Sequence, residues 1–245
     1  MITLLDETES TNDLALKAAD QGAEHGSCWV ADRQTKGRGR REVGGDRRVW
    51  FSPGRSNIYL SLLLRPDLEP AEASTITLAA AVGCADAIVG ETDADVWVKW
   101  PNDLYVGDLK LGGILTEANS GDGELDSVII GLGLNVNVTA DQVPDELSDI
   151  MTSLQIETGE RWDRMSLAFG LREHLLERAE QFADSGLSGI IEDLRSYDRT
   201  PGRTVEVQQA GDWVEGVSRG IADDGTLVVE VHGENVEVQA GEVRF

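Results

Sequence analysis

Between Val96 and Leu115 the chain alternates, stops and doubles back. Val96-Trp97-Val98-Lys99-Trp100 has the period-two pattern of a strand and halts at Pro101, which cannot donate to a ladder. Tyr105 to Lys110 then reads as a tight hairpin around Gly107-Asp108. A chain that reverses in this way sets strands side by side in antiparallel pairs. That points to an α+β fold with a mixed sheet rather than strict βαβ alternation.

The flanking sequence agrees. Ile2–Leu5, Cys28–Ala31, Asn57–Leu64, Ile114–Glu117 and Val128–Val138 read as strands, and Ala73–Val89, Asp163–Ala183 and Ile190–Tyr197 as helices. Ser10-Thr11-Asn12 supplies cap-type residues for a further helix through Leu14, Leu16, Ala18 and Ala19. Asp32 to Gly54, rich in Gly and Arg, reads as one long loop. After Pro201-Gly202 the texture changes to short strands punctuated by Gly211, Asp223-Asp224-Gly225 and Gly233, the pattern of a small all-β barrel. The expected organisation is therefore a domain over 1–198 and a barrel over 199–245. At about 45 residues the barrel is too small to stand alone with confidence, so it is expected to dock on the rest.

Charge narrows the function classes. Among 245 residues there are 45 Asp+Glu against 21 Lys+Arg, a formal charge of -24. Only four of the cations are lysine: Lys17, Lys36, Lys99 and Lys110. Such a balance argues against general nucleic-acid binding, which needs a basic face, and it suits a protein kept soluble in concentrated salt. No apolar run is long enough for a membrane span, and the N-terminus lacks a signal-peptide pattern. Cys28 and Cys84 are far apart with no metal-type spacing, so a reducing cytoplasmic setting is expected.

Against this acidic background, five cations fall between Arg38 and Arg48, in Gly37-Arg38-Gly39-Arg40-Arg41 and Arg47-Arg48-Val49-Trp50. Glycine lets backbone approach an anion closely, and arginine offers a forked donor for phosphate or carboxylate. Read alone, this stretch is either a solvated basic loop or an anion site. It is neither a Walker A loop nor a dinucleotide fingerprint. In Lys99-Trp100-Pro101-Asn102-Asp103, the Asn-Asp pair sits at the end of a strand, either as a turn or as a polar site at the mouth of a sheet. Lys110, followed by Leu111-Gly112-Gly113, is either an edge-strand lysine or a cation for a buried anion. Within Gly131-Leu132-Gly133-Leu134-Asn135-Val136-Asn137, the two asparagines would share one strand face, placed either to satisfy turns or to read a nucleobase edge.

Together and in this order, these segments resemble the biotin protein ligases. The resemblance also takes in Ser10-Thr11-Asn12, Gln34 and Trp50-Phe51-Ser52-Pro53, and so spans most of the chain. It implies a catalytic domain like those of class II aminoacyl-tRNA synthetases, followed by an SH3-like β-barrel. It also implies two steps: ATP activates biotin as biotinyl-AMP with the help of Mg²⁺, and a lysine of a biotin carboxyl carrier domain then displaces AMP. By resemblance Ser10, Thr11, Asn12 and Gln34 contact biotin, and Gly37 to Arg40 cover the acyl-phosphate. Lys110, with Gly112 and Gly113, meets the carboxylate. Asn102 and Asp103 line the ATP and metal region; Arg48 and Trp50 meet phosphates and adenine, and Asn135 the adenine edge. Arg40, Lys110 and Asp103 are the expected catalytic set, and the metal ligands are not identified.

Glu42 to Asp46 lengthen the loop relative to the family's spacing, which leaves Arg47 and Arg48 as alternatives for one role. The loop from Lys36 to Gly54 is expected to order over the ligand. Because the catalytic pattern begins within the first ten residues, a ligase without a winged helix is expected. A homodimer through exposed strand edges fits the same reading. The competing readings are a non-catalytic biotin-binding or regulatory protein and a lipoate or octanoyl ligase of the same fold.

Overall fold

The chain before residue 135 supplies all the strands of one seven-stranded sheet. A computed structural model describes residues 1–41, 47–121, 123–209, 212–239 and 241–245, with backbone alone for Arg41, Arg47, Arg48, Val49 and Gln209. The strands are β1 (Ile2–Leu5), β2 (Cys28–Ala31), β3 (Arg38–Arg41), β4 (Arg47–Val49), β5 (Ile58–Leu64), β6 (Val96–Lys99), β7 (Asp103–Val106), β8 (Leu109–Gly121) and β9 (Glu124–Leu134). The large sheet runs β1-β2-β5-β9-β8-β7-β6. Only β1 and β2 pair in parallel; the other neighbours are antiparallel, as the hairpin at Gly107-Asp108 requires.

Helices cover both faces of this sheet. They are α1 (Thr11–Asp20), α2 (Ile76–Glu91), α3 (Leu154–Thr158), α4 (Arg164–Ser185) and α5 (Ile191–Tyr197). Strand β5 shows the division. Leu60, Leu62 and Leu64 belong to the main core with α2, α4 and α5, whereas Leu63 joins Ala15 and Ala19 of α1 in a second cluster. Being covered on both sides, β5 is buried along its whole length and needs no polar alternation. At the start of α1, Ser10 takes extended backbone angles and its hydroxyl accepts from the Asp13 N–H at 3.4 Å, as its cap-type sequence predicts.

Strands β3, β4, β8 and β9 and helix α3 differ from the sequence reading. The stretch from Asp32 to Gly54 is not one loop, because β3 and β4 pair antiparallel within it. Glycine and arginine are poor strand signals, so this hairpin could not be read from propensity. Residues 42–46, the added segment between these strands, lie outside the described residues, and the expected ordering of the loop depends on them. Strand β8 extends well beyond Ile114–Glu117, and β9 ends at Leu134, so Asn135 and Asn137 follow the strand instead of sharing its face. Helix α3 went unread, since five residues are too few for a periodic pattern.

The C-terminal strands are β10 (Thr204–Gln209), β11 (Asp212–Ile221), β12 (Leu227–Val231), β13 (Glu234–Val238) and β14 (Val243–Arg244), in the order β13-β12-β11-β10-β14. All pairs are antiparallel. Their apolar faces join the main core through Val205, Val207, Ile221, Leu227 and Val229. Polar contacts add to this: the Trp100 indole N–H donates to the Gly225 carbonyl at 2.9 Å, and the Arg195 Nε to the Ile221 carbonyl at 2.9 Å.

The acidic surface has a measurable consequence. Molar salt shortens the screening length to roughly 3 Å and weakens self-repulsion among exposed carboxylates. A gain of about 2 kcal/mol would raise the melting temperature by roughly 4–8 °C between dilute buffer and molar KCl. A thermal melt that failed to rise with KCl would contradict this.

Candidate functional site

Residues scattered through the sequence meet in one cavity of about 700 Å³, within the usual range for small-molecule sites. Ser10, Thr11, Asn12 and Gln34 line it, brought together by the start of α1 and the chain after β2. The Thr11 N–H donates to Gln34 Oε1 at 2.9 Å, and the Ser61 hydroxyl to Asn12 Oδ1 at 2.6 Å. Gly131 of β9 gives this amide its room, since a Cβ there would fall 2.1 Å from Asn12 Oδ1. Gly133 does the same for Trp50, whose indole would lie 2.6 Å from such a Cβ.

The β3–β4 hairpin brings Arg38, Gly39, Arg40 and Trp50 to the cavity. Arg38 is held by two carboxylates. Its Nη1 donates to Asp13 Oδ2 at 2.7 Å, and its Nη2 lies 3.1 Å from Glu117 Oε2. The hydrogen bond to Asp13, with the charge of Glu117, raises its pKa, although burial acts the other way. Arg40 differs. Burial lowers its pKa, offset in part by the charges of Asp103 and Glu242. Its Nη1 donates to Asn102 Oδ1 at 2.8 Å. The cation best placed to meet an incoming anion is thus Arg40, which burial makes the costlier of the two to leave unpaired.

The hairpin of β7 and β8 contributes Asn102, Asp103, Lys110 and Gly113. Lys110 Nζ donates to Asp103 Oδ1 at 2.6 Å and lies 5.5 Å from the centroid of the Trp50 ring. Asn102 is tied down by its Nδ2, which donates to the Ile114 carbonyl at 2.8 Å. Lys110 is therefore no edge-strand lysine, because β8 is an interior strand between β7 and β9. Apolar side chains Leu60, Ile114, Leu115 and Leu132 make up other walls. The whole can accept an apolar molecule bearing an anionic group.

Asn135 also lines the cavity, with its Oδ1 accepting from Asn57 Nδ2 at 3.1 Å. Asn137 is used elsewhere, exchanging hydrogen bonds with the backbone of Trp162. Gly37 and Gly112 are not among the lining residues; they pack tightly against Ser52 and against the Gly133 carbonyl instead. The Arg47 and Arg48 side chains lie outside the described residues.

Several lining residues escaped the sequence reading. Lys99 is 8% exposed, donates from Nζ to the Tyr105 hydroxyl at 3.1 Å, and faces the cavity. Its place in the Lys-Trp-Pro-Asn-Asp run was a usable signal. Leu147, Ile150 and Met151 come from a segment bound to β8 by the Lys110 N–H, which donates to the Ile150 carbonyl at 2.8 Å. Gln208, Gly241, Glu242 and Val243 come from the C-terminal sheet. No local pattern marked either group, since only the tertiary fold brings them near. No group of three or more His, Cys, Asp or Glu among the described residues is arranged to hold a metal.

Comparison with known proteins agrees with this geometry. Residues 4–135 match the model of the biotin/lipoate A/B protein ligase family. The chain is 36% identical over 229 residues to the bifunctional ligase/repressor BirA of Bacillus spizizenii, covering 92% of this chain and 68% of that one. It is 33% identical over 243 residues to the biotin–[acetyl-CoA-carboxylase] ligase of Mycobacterium tuberculosis, covering 97% of this chain and 86% of that one. Among solved structures, the biotin protein ligase of Aquifex aeolicus in complex with biotin and ATP superposes with a TM-score of 0.81 at 26% identity, covering 99% of this chain and 97% of that one. With its sheet order, its cavity and these relatives, the chain belongs to the biotin/lipoate A/B protein ligase family.

Proposed function

We propose that the protein joins biotin to a lysine of a biotin carboxyl carrier domain at the expense of ATP. The observation that carries this reading is the cluster of Arg40, Asn102, Asp103 and Lys110 beside Trp50 in a cavity with apolar walls. Activation requires a carboxylate oxygen of biotin to attack the α-phosphorus of ATP, forming biotinyl-AMP as the bond to pyrophosphate breaks. Two anions must approach, so fixed cations are needed. Lys110, oriented by Asp103, neutralises the carboxylate and the acyl-phosphate oxygens, and Arg40 neutralises the phosphate chain. Ser10, Thr11, Asn12 and Gln34 hold the biotin ring, and Trp50 and Asn135 the adenine. In the second step a carrier lysine amine attacks the acyl carbon, AMP leaves, and the amine sheds its proton.

Mg²⁺ fits as an ion carried by the nucleotide. Asp103 and Glu242 are lining carboxylates that could join phosphate oxygens around it, in keeping with magnesium's preference for few protein ligands. When bound, it would add charge neutralisation at the phosphates. We further propose a division into a catalytic unit over 1–198 and a barrel over 199–245 that completes the cavity, with the protein acting in the cytoplasm. No helix among the described residues is long and apolar enough to cross a membrane.

The test is purified protein with ATP, Mg²⁺, a carrier domain and labelled biotin or lipoate in high salt. Biotin should label the carrier, and lipoate should not. Labelling by lipoate alone would reverse the assignment. In the same assay Arg40→Gly is expected to release biotinyl-AMP roughly 10–100-fold faster, the loss of a charge-assisted contact. Unchanged retention of the intermediate would remove Arg40 from its role.

A further inference from the structure

Glu117, on β8, has no part in the scheme above, yet it touches both halves of the biotin wall. Its carboxylate accepts from Asn12 Nδ2 at 2.9 Å and lies 3.1 Å from Arg38 Nη2. Its side chain is only 16% exposed, and that of Arg38 17%, whereas Asp13, the other carboxylate on Arg38, is 53% exposed. Bonds among buried charged groups are screened less than exposed ones. Asp13 makes the shorter contacts with Arg38, and Glu117 holds it from the more buried side.

The network continues on the far side. Asn12 Nδ2 also donates to the Leu115 carbonyl at 3.2 Å, and its Oδ1 accepts from Ser61. Ser61 Oγ lies 2.8 Å from Thr11 Oγ1, and the Thr11 N–H donates to Gln34 Oε1. Glu117 therefore links the basic hairpin through Arg38 to the Asn12 side chain, and through it to Ser61, Thr11 and Gln34, while Asp13 ties Arg38 to the first turn of α1. Asp103, by contrast, pairs with Lys110.

We propose that Glu117 is a positioning residue for biotin: it fixes Arg38 and Asn12 against each other so that the two sides of the ring pocket keep their spacing. It neither contacts the reacting atoms nor meets the nucleotide. This accounts for the Arg38 Nη atoms being engaged by two carboxylates, whereas Arg40 Nη1 donates to Asn102. Its task is to anchor the hairpin, and the phosphates fall to Arg40 and Lys110. The inference rests on the biotin reading and deepens it.

The experiment measures biotin binding calorimetrically without ATP, alongside steady-state carrier labelling. Glu117→Ala is expected to weaken biotin binding about tenfold, close to 1.4 kcal/mol. The KM for ATP and the kcat at saturating biotin should stay within about threefold of the parent. Glu117→Gln, which keeps the shape and one acceptor for Asn12, should lose less. The double variant Arg38→Ala/Glu117→Ala should lose less biotin affinity than the sum of the two single losses, since the Arg38–Glu117 contact is shared while the bond to Asn12 is not. Equal losses for biotin and ATP, unchanged biotin affinity, or additive losses in the double variant would each overturn the proposal. If Glu117→Ala failed to fold, Glu117→Gln and the cycle built on it would decide in the same way. Should the parent protein itself bind no biotin, the underlying function would fail first, an outcome separate from these.

Discussion

Lys110→Ala is expected to lower carrier biotinylation by about 10²–10³-fold, the scale seen when one preorganised charge at a reacting centre is removed. The ammonium does two things at once. In the proposed reaction it would offset the biotin carboxylate as that group nears phosphate, and it neutralises Asp103, 2.6 Å away. Removing it leaves Asp103 as an uncompensated negative charge beside two incoming anions. The loss should therefore fall mainly on biotinyl-AMP formation, while the fold persists, because both side chains retain some access to water, at 24% and 19% exposure. Lys110→Arg should recover little, since a planar fork cannot occupy the position of a compact ammonium held over Trp50. Single-turnover measurement of adenylate formation, with a melting curve for each variant, separates these effects. Near-normal labelling by Lys110→Ala would dismiss its role.

Trp97→Ala should be the most damaging single change to stability away from the cavity, at about 3–5 kcal/mol, or roughly 6–20 °C in melting temperature. Trp97 is 1% exposed and is the largest of the fully buried side chains. Its indole N–H donates to the Gly107 carbonyl at 2.8 Å, tying β6 to the turn of the β7–β8 hairpin. Its ring also lies 5.2 Å from that of Tyr105 and 5.9 Å from that of Phe245 at the far end of the C-terminal sheet. The variant should loosen that sheet as well as the hairpin, seen as earlier hydrogen exchange in residues 204–231. A loss below about 1 kcal/mol would show that neighbouring rings collapse into the space.

Strand pairing was legible wherever apolar alternation met a turn signal. Val96 to Lys110 is the clearest case, since Pro101 and Gly107-Asp108 delimit the strands by backbone chemistry. The β3–β4 hairpin was not legible: glycine is depleted in strands and arginine favours helices, so neither residue marks a strand. Of the site, the motif residues Ser10, Thr11, Asn12, Gln34, Arg38, Arg40, Asn102, Asp103 and Lys110 do meet at the cavity. Their individual partners could not be read, because Glu117 and Asp13 are ordinary carboxylates in a chain with 45 acidic residues. Asn135 illustrates the limit of periodicity: it reaches the cavity, but from beyond the end of β9, and its neighbour Asn137 turns to Trp162.

The cavity takes side chains from Ser10 at one extreme of the chain and from Val243 at the other. During synthesis, then, the pocket cannot be finished until β14 has emerged from the ribosome, however early the large sheet forms. Until that moment the growing polypeptide offers biotin and ATP only part of their walls. Ligand occupancy becomes a readout of protein in which β14 is in place, and each bound molecule adds to the stability of that state alone. Nicks or truncations near residue 240 should therefore cost affinity before they cost secondary structure.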